Sequence, residues 1–136
     1  MAKYQVPKKN DVRRMAPKAP TDRLRALCLA LPEAEERETW EIPTYRIRGK
    51  IFALESAIEG RRAVWCKPQP GSQEVLVGAD PGRFFVPPYL GHKGWVGMWL
   101  DKTEAGRVNW SEVERLVRRS YRLIAPKKLA ALLAED

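Results

Sequence analysis

The spacing of hydrophobic positions changes along this 136-residue chain, and the changes mark its elements. In "TDRLRALCLAL", Leu24, Leu27, Cys28 and Leu31 fall at i, i+3, i+4 and i+7, one face of a helix. Thr21 is the expected N-cap, Asp22 suits the positive helix end, and Pro32 stops the helix. The polar stretch "PEAEERETWE" reads as an acidic loop. Three strands follow, "TYRIR", "IFALESAI" and "RRAVWCK". Gly49-Lys50 and Glu59-Gly60 separate them as two-residue hairpin turns, glycine supplying the positive φ. Two tight turns set Tyr45 opposite Leu54, Ile47 opposite Phe52, and Leu54 opposite Trp65. Those five residues then share one apolar face. The other face receives Arg46, Arg48, Ala53, Glu55, Arg62, Val64 and Cys66. A slip of one residue would exchange the two faces.

"PGSQEVLVGADPGRFF" predicts a short helix from Ser72 and a turn where Asp80-Pro81 opens another. "GWVGMWLD" alternates as a fourth strand. Trp95, Gly97 and Trp99 fall on one side, Val96, Met98 and Leu100 on the other. Both sides are apolar, so the strand is expected to be covered on both. Phe84, Phe85 and Pro87-Pro88-Tyr89 are expected to plug the sheet's end. In "NWSEVERLVRRSYRLIAP", Ser111 and Glu114 form a capping box. Val113, Leu116, Val117, Tyr121 and Ile124 make the apolar face, and Pro126 ends the helix. "PKKLAALLA" starts a last helix with Leu129, Leu132 and Leu133 inward. The order α-β-β-β-α-β-α-α is that of an α+β domain, an antiparallel sheet of four or more strands with helices packed on one face. Residues 1–20, with three prolines and no apolar period, read as a flexible basic arm; 21–136 read as a single domain.

Charge changes this picture more than composition does. The formal net charge is +8. Residues 1–25 hold eight Lys and Arg against Asp11 and Asp22, so +6 of it lies there and +2 in the rest. Such a block can bind polyanions without specificity through counterion release. No run approaches the roughly 18 apolar residues of a membrane span, so no membrane partner is expected. No apolar segment suggests a secretory signal, and Cys28 and Cys66 share no short motif. A reduced, cytoplasmic setting is the simplest reading, with a monomer favoured.

The candidate binding residues are bases. Arg115, Arg118, Arg119 and Arg122 stripe the outer face of the 111–125 helix, and Lys127 and Lys128 extend them. Between Arg115 and Lys128 there are six bases and no acid. Guanidiniums a turn apart suit phosphate oxygens. The same stripe would also serve as the solvated face that any amphipathic helix needs. Arg46, Arg48 and Arg62 mark the open sheet face, and Lys50 stands at a hairpin tip. Tyr89, His92 and Lys93 form a polar loop tip in which His92-Lys93 lies between glycines. His92 has no second histidine, Cys-x-x-Cys or serine motif for company, so no catalytic residue, metal site or cofactor is expected. The acidic run Glu33, Glu35, Glu36, Glu38 and Glu41 lacks the glycine turn of a Ca²⁺ loop and would repel DNA.

Three segments carry a family resemblance: "LCLALPEAEERETWEIPTYRIRGKIFAL", "FFVPPYLGHKGWVGMWLD" and "LVRRSYRLIAPKKL". Together they resemble the MmcQ/YjbR family of small bacterial proteins, from about residue 24 to 129. The shared pattern is a Leu-Pro-Glu stretch, a Trp-x-x-Pro-x-Tyr, a Gly-Lys hairpin, a Pro-Pro-Tyr and a Gly-Trp-Val, in that order. The resemblance implies a frataxin-like (CyaY-like) α+β fold, also described as a double-wing DNA-binding fold. It brings no established catalytic motif. Frataxin binds iron through an acidic helix and strand edge, whereas the first helix here has Asp22 as its lone acid. The expectation is a non-enzymatic protein binding nucleic acid, DNA rather than RNA, mainly through phosphates and with weak sequence readout. The alternative is a small-molecule or protein-binding accessory domain, with Cys66, Arg46 and Arg62 cupping an anionic ligand on the open sheet face. An enzyme would need an acid/base pair that the sequence does not present.

Overall fold

Three two-residue turns build the first half of the sheet. They connect β1 (Glu35–Thr39), β2 (Ile42–Ile47), β3 (Lys50–Ile58) and β4 (Arg61–Cys66). Their central pairs are Trp40-Glu41, Arg48-Gly49 and Glu59-Gly60, and all six residues have positive φ. That is the type I′ conformation, whose twist matches that of the flanking strands. The structure, a computed structural model, describes residues 19–101 and 106–133, so the expected basic arm falls almost wholly outside the described residues. Beyond β4 come α2 (Ser72–Ala79), β5 (Phe84–Phe85), a 3₁₀ turn (Gly91–Lys93) and β6 (Val96–Trp99). Helix α1 (Pro20–Leu29) precedes the sheet; α3 (Trp110–Ile124) and α4 (Lys127–Ala130) follow it. The described strands pair antiparallel in the order β1-β2-β3-β4-β6-β5.

The α+β class and the covered face match expectation, but the register does not. The first predicted turn lies one residue early: Ile47 pairs with Lys50, so the turn is Arg48-Gly49 and Lys50 already belongs to β3. Type I′ geometry explains this, since Gly49 takes the second positive-φ position and Arg48 accepts the first. Tyr45 then pairs with Ala53, and Arg46 with Ile51, which leaves Phe52 as the extra residue of a β-bulge. The bulge sends Phe52 and Ala53 to the same side and moves Leu54 to the other. Tyr45, Ile47, Phe52, Ala53, Val64 and Cys66 face the helices, in one core with Leu24, Cys28, Val113, Val117 and Tyr121. Leu54 and Trp65, paired as expected, lie on the opposite face with Ala63 and Trp95.

Other local expectations shift for similar reasons. The acidic segment is the edge strand β1 rather than a loop, because it pairs with β2 from Glu35 to Thr39. Asn109, not Ser111, caps α3: its side chain accepts the Glu112 amide at 3.2 Å. Ala19 stands at the N-cap of α1, with Pro20 as first residue, and the Thr21 hydroxyl turns instead to Glu55. Asp80-Pro81 leads into the short strand β5 rather than a helix. β6 is covered on both sides, as its alternation suggested. Val96 and Met98 enter the helix-side core, and the Phe85 ring lies over Gly97 on the other side. A β-carbon at Gly97 would come within 2.3 Å of that ring, so the strand needs glycine there. Phe85 also stacks on Trp99 at 4.4 Å. Tyr89 is no plug; it is 86% exposed.

Candidate nucleic-acid interface

The sheet arginines are tied into the fold. Arg46 donates to the Gly49 carbonyl and to Thr39 Oγ1, both at 3.0 Å, and so clamps β1 to the β2–β3 turn. Arg48 meets Glu33 through two contacts at 2.9 and 3.2 Å, and that guanidinium holds the Glu33 carboxyl below its usual range. Arg62 donates to Glu55 at 3.0 Å. The Glu55 carboxylate is fully buried and also accepts from Thr21 at 2.7 Å, so Arg62 neutralises a charge the core could not otherwise hold. The expected open face of arginines is therefore not assembled. Arg46 shares its side of the sheet with Leu54, because Thr44 pairs with Leu54 two residues away. Arg62 alternates with Val64 and Cys66 and stands at the margin of the helix-covered side. The proposed cup of Cys66, Arg46 and Arg62 fails for the same reason: Cys66 is fully buried beneath the helices. Burial pushes its thiol up to about 12, and Cys28 is raised the same way, so neither is a ready nucleophile.

Helix α3 presents its bases differently. Its roll is set from below by Ser120 and Tyr121. Ser120 Oγ donates to the Phe52 carbonyl at 2.6 Å, satisfying the acceptor at the bulge, and accepts from the Lys67 amide at 2.9 Å. The Tyr121 hydroxyl donates to the Pro32 carbonyl at 2.6 Å, and its ring meets Phe52 edge-on at 5.3 Å. With these groups buried, Arg115 and Arg119 point to solvent, and so do Lys127 and Lys128 at the start of α4. Among the described residues no carboxylate pairs with any of these four. Of the two acids on α3, Glu112 of the first turn is engaged by Arg83, and Glu114 is exposed and makes no ion pair with these bases. Arg118 and Arg122 are half-buried and already engaged within the chain. The six-base stripe of the sequence thus resolves into four available cations and two occupied ones.

The loop tip is held by α2. Gln73 of α2 donates to the carbonyls of Gly91 at 2.8 Å and Trp95 at 2.6 Å, pinning the 3₁₀ turn that carries His92 and Lys93. Both side chains are exposed, and among the described residues His92 belongs to no group that could hold a metal ion. The same helix forms, with Arg119 and Leu116 of α3, a cleft of about 100 Å³ whose other walls are Pro68, Gln69, Ser72, Val75 and Leu76. Lys50 is exposed at the start of β3, beside the Arg48-Gly49 turn. The sequence could name the bases but not their partners. Glu33 lies 15 residues from Arg48, and Thr21 lies 34 from Glu55, distances at which no pattern links them.

A family model described as YjbR matches residues 29–123. The chain belongs to the YjbR family. Among solved structures it is similar to the Deinococcus radiodurans protein DR2400, which carries a domain described as DUF419. The TM-score is 0.68 at 26% identity, over 81% of this chain and 83% of that one. No curated protein matches the chain. Among the described residues of this YjbR protein, no group of three or more His, Cys, Asp or Glu side chains is placed to hold a metal ion. No described helix is long and apolar enough to cross a membrane.

Proposed function

We propose that this YjbR protein binds duplex DNA, as a binding protein rather than an enzyme, by low-specificity contacts from the α3–α4 surface to backbone phosphates. The observation that supports the reading is the availability of Arg115, Arg119, Lys127 and Lys128: all are exposed, and no described carboxylate competes for them. Arg115 and Arg119 are one turn apart, and a further turn separates them from the α3–α4 junction, so adjacent phosphates can be met in series. Lys93, on the loop that α2 holds, is a further exposed base. The acidic edge β1 lies at one margin of the sheet, and its repulsion of phosphate helps orient the duplex toward α3. Among the described residues no element offers a recognition helix with base-reading side chains, hence the expected weak sequence preference.

Fluorescence anisotropy with a labelled duplex tests this. Counterion release predicts a log–log salt slope of about −0.9 for each phosphate neutralised, so four contacts give about −3.6. A single-stranded RNA of equal length is expected to bind more weakly. Absence of duplex binding at low salt would sink the proposal.

A further inference from the structure

Of the large apolar side chains that the fold leaves exposed, Trp40 is the most costly to display. It is 74% exposed at the tip of the β1–β2 hairpin, with φ +53°, and Glu41 beside it has φ +63°. Glycine or asparagine suits both positions of such a turn better. Tyr45 and Pro43 of the same Trp-x-x-Pro-x-Tyr stretch lie within β2, and Tyr45 is core. Trp40 does nothing for that core. Its neighbours decide what it can meet. Glu38 and Glu41 are exposed with no described cation partner, and Glu59 occupies the adjacent tip at the same end of the sheet. Two strand spacings, about 10 Å, separate the tips. Three carboxylates repel nucleic acid and anionic bilayers alike. A protein surface that takes an indole within a basic rim fits this tip.

The chain itself carries such a surface. The α2–α3 cleft has apolar walls from Pro68, Val75, Leu76 and Leu116, with Arg119 at its edge and Arg115 one turn away. Val75, on its lip, is 69% exposed. Trp40 cannot reach the cleft of its own copy. Its turn lies level with the Ile58–Arg61 end of β3–β4, whereas the cleft begins past Cys66 at the other end. We infer that two copies associate head to tail, with Trp40 of one entering the α2–α3 cleft of the next while Glu38 and Glu41 meet Arg115 and Arg119. The contact is heterologous, so it continues into chains or closes into a ring. One indole buries roughly 150–250 Å², far below the ~1,200 Å² of a standard interface, so the association is weak and salt-sensitive.

Sedimentation equilibrium of the full chain without nucleic acid tests this, so that its failure leaves the DNA proposal untouched. Between about 20 µM and 1 mM at low salt, the average mass is expected to rise well above the 15.6 kDa of one copy. Trp40→Gly relaxes the turn and removes the indole; Val75→Glu puts a charge on the cleft lip. Each variant alone should associate at least about tenfold more weakly. An equimolar mixture restores one intact contact and should stop at a pair. A wild-type mass that stays at one copy overturns the inference. So does wild-type-like association of Trp40→Gly, or of Val75→Glu, the latter meaning that the indole meets another partner.

Discussion

Arg62 and Arg119 are both surface arginines, yet they have different work. Arg62 stands over a fully buried carboxylate, and its charge completes an internal pair shared with Thr21. Arg119 lies on a helix whose two acids, Glu112 and Glu114, fall in its N-terminal half, and no described group neutralises it. The contrast extends to their neighbours. Arg46 and Arg48 of the sheet hold a hairpin and a loop in place, whereas Arg115, Lys127 and Lys128 of the helical side hold nothing. Positive charge in this protein is therefore of two kinds, structural on the sheet and available on α3–α4. A count of bases merges the two.

Removing the available set is the strongest way to test that division. Changing Arg115, Arg119, Lys127 and Lys128 together to Ala should lower duplex affinity by a hundredfold or more, ~3 kcal/mol, and flatten the salt slope by about 3.6. The melting temperature should stay within a few degrees, since exposed unpaired cations contribute little to folding. Alkaline titration separates the same two sides differently. Arginines keep their charge, but burial holds the Cys66 proton to about 12, against an ordinary 9.0. The raised value favours the folded state fully below pH 9, and that contribution fades as pH rises toward 12. Denaturation at pH 11 should show about 2 kcal/mol less from this group, and Cys66→Ala should flatten that part of the profile.

Arg62→Ala probes the structural set. It leaves Glu55 buried without its cation, and urea unfolding should show a loss of 1–2 kcal/mol, tempered by the exposure of Arg62 itself. Duplex affinity should change by less than about threefold. The smallest effect is expected for Arg48→Ala. Its pair with Glu33 is exposed at the surface, so neither the melting temperature nor DNA binding should move appreciably. A large drop in affinity for Arg62→Ala or Arg48→Ala would erase the proposed division.

Periodicity made most of the architecture legible before any coordinates. The α3 stripe, the hairpin at Glu59-Gly60 and the two-sided burial of β6 follow from local spacing alone, and the pairing of Leu54 with Trp65 was readable for that reason. The bulge at Phe52 was not. It arises because the type I′ turn at Arg48-Gly49 sets Phe52 on the helix side with Tyr45, while the β3–β4 half of the strand turns Ala53 to that same side with Cys66, and one unpaired residue reconciles the two parities. That residue placed Leu54 and Trp65 on the opposite face from Tyr45 and overturned the expected cup. β1 was missed because its five residues carry three acids and an arginine; backbone pairing to β2, rather than an apolar face, makes it a strand.

Taken by itself, the amino-acid sequence determined the family, the α+β class, the position of the helices and the list of basic residues. Each depends on residues near one another along the chain, where spacing and turn chemistry act. Only the tertiary structure decided which bases are available. Glu33 comes to Arg48 across 15 residues, Asp101 to Arg61 across 40, and Thr21 to Glu55 across 34, and no local rule encodes such meetings. It decided the exposure of Trp40 as well. A tryptophan within an acidic stretch has no apolar period to place it, and only the turn that carries it shows that it points away from the core.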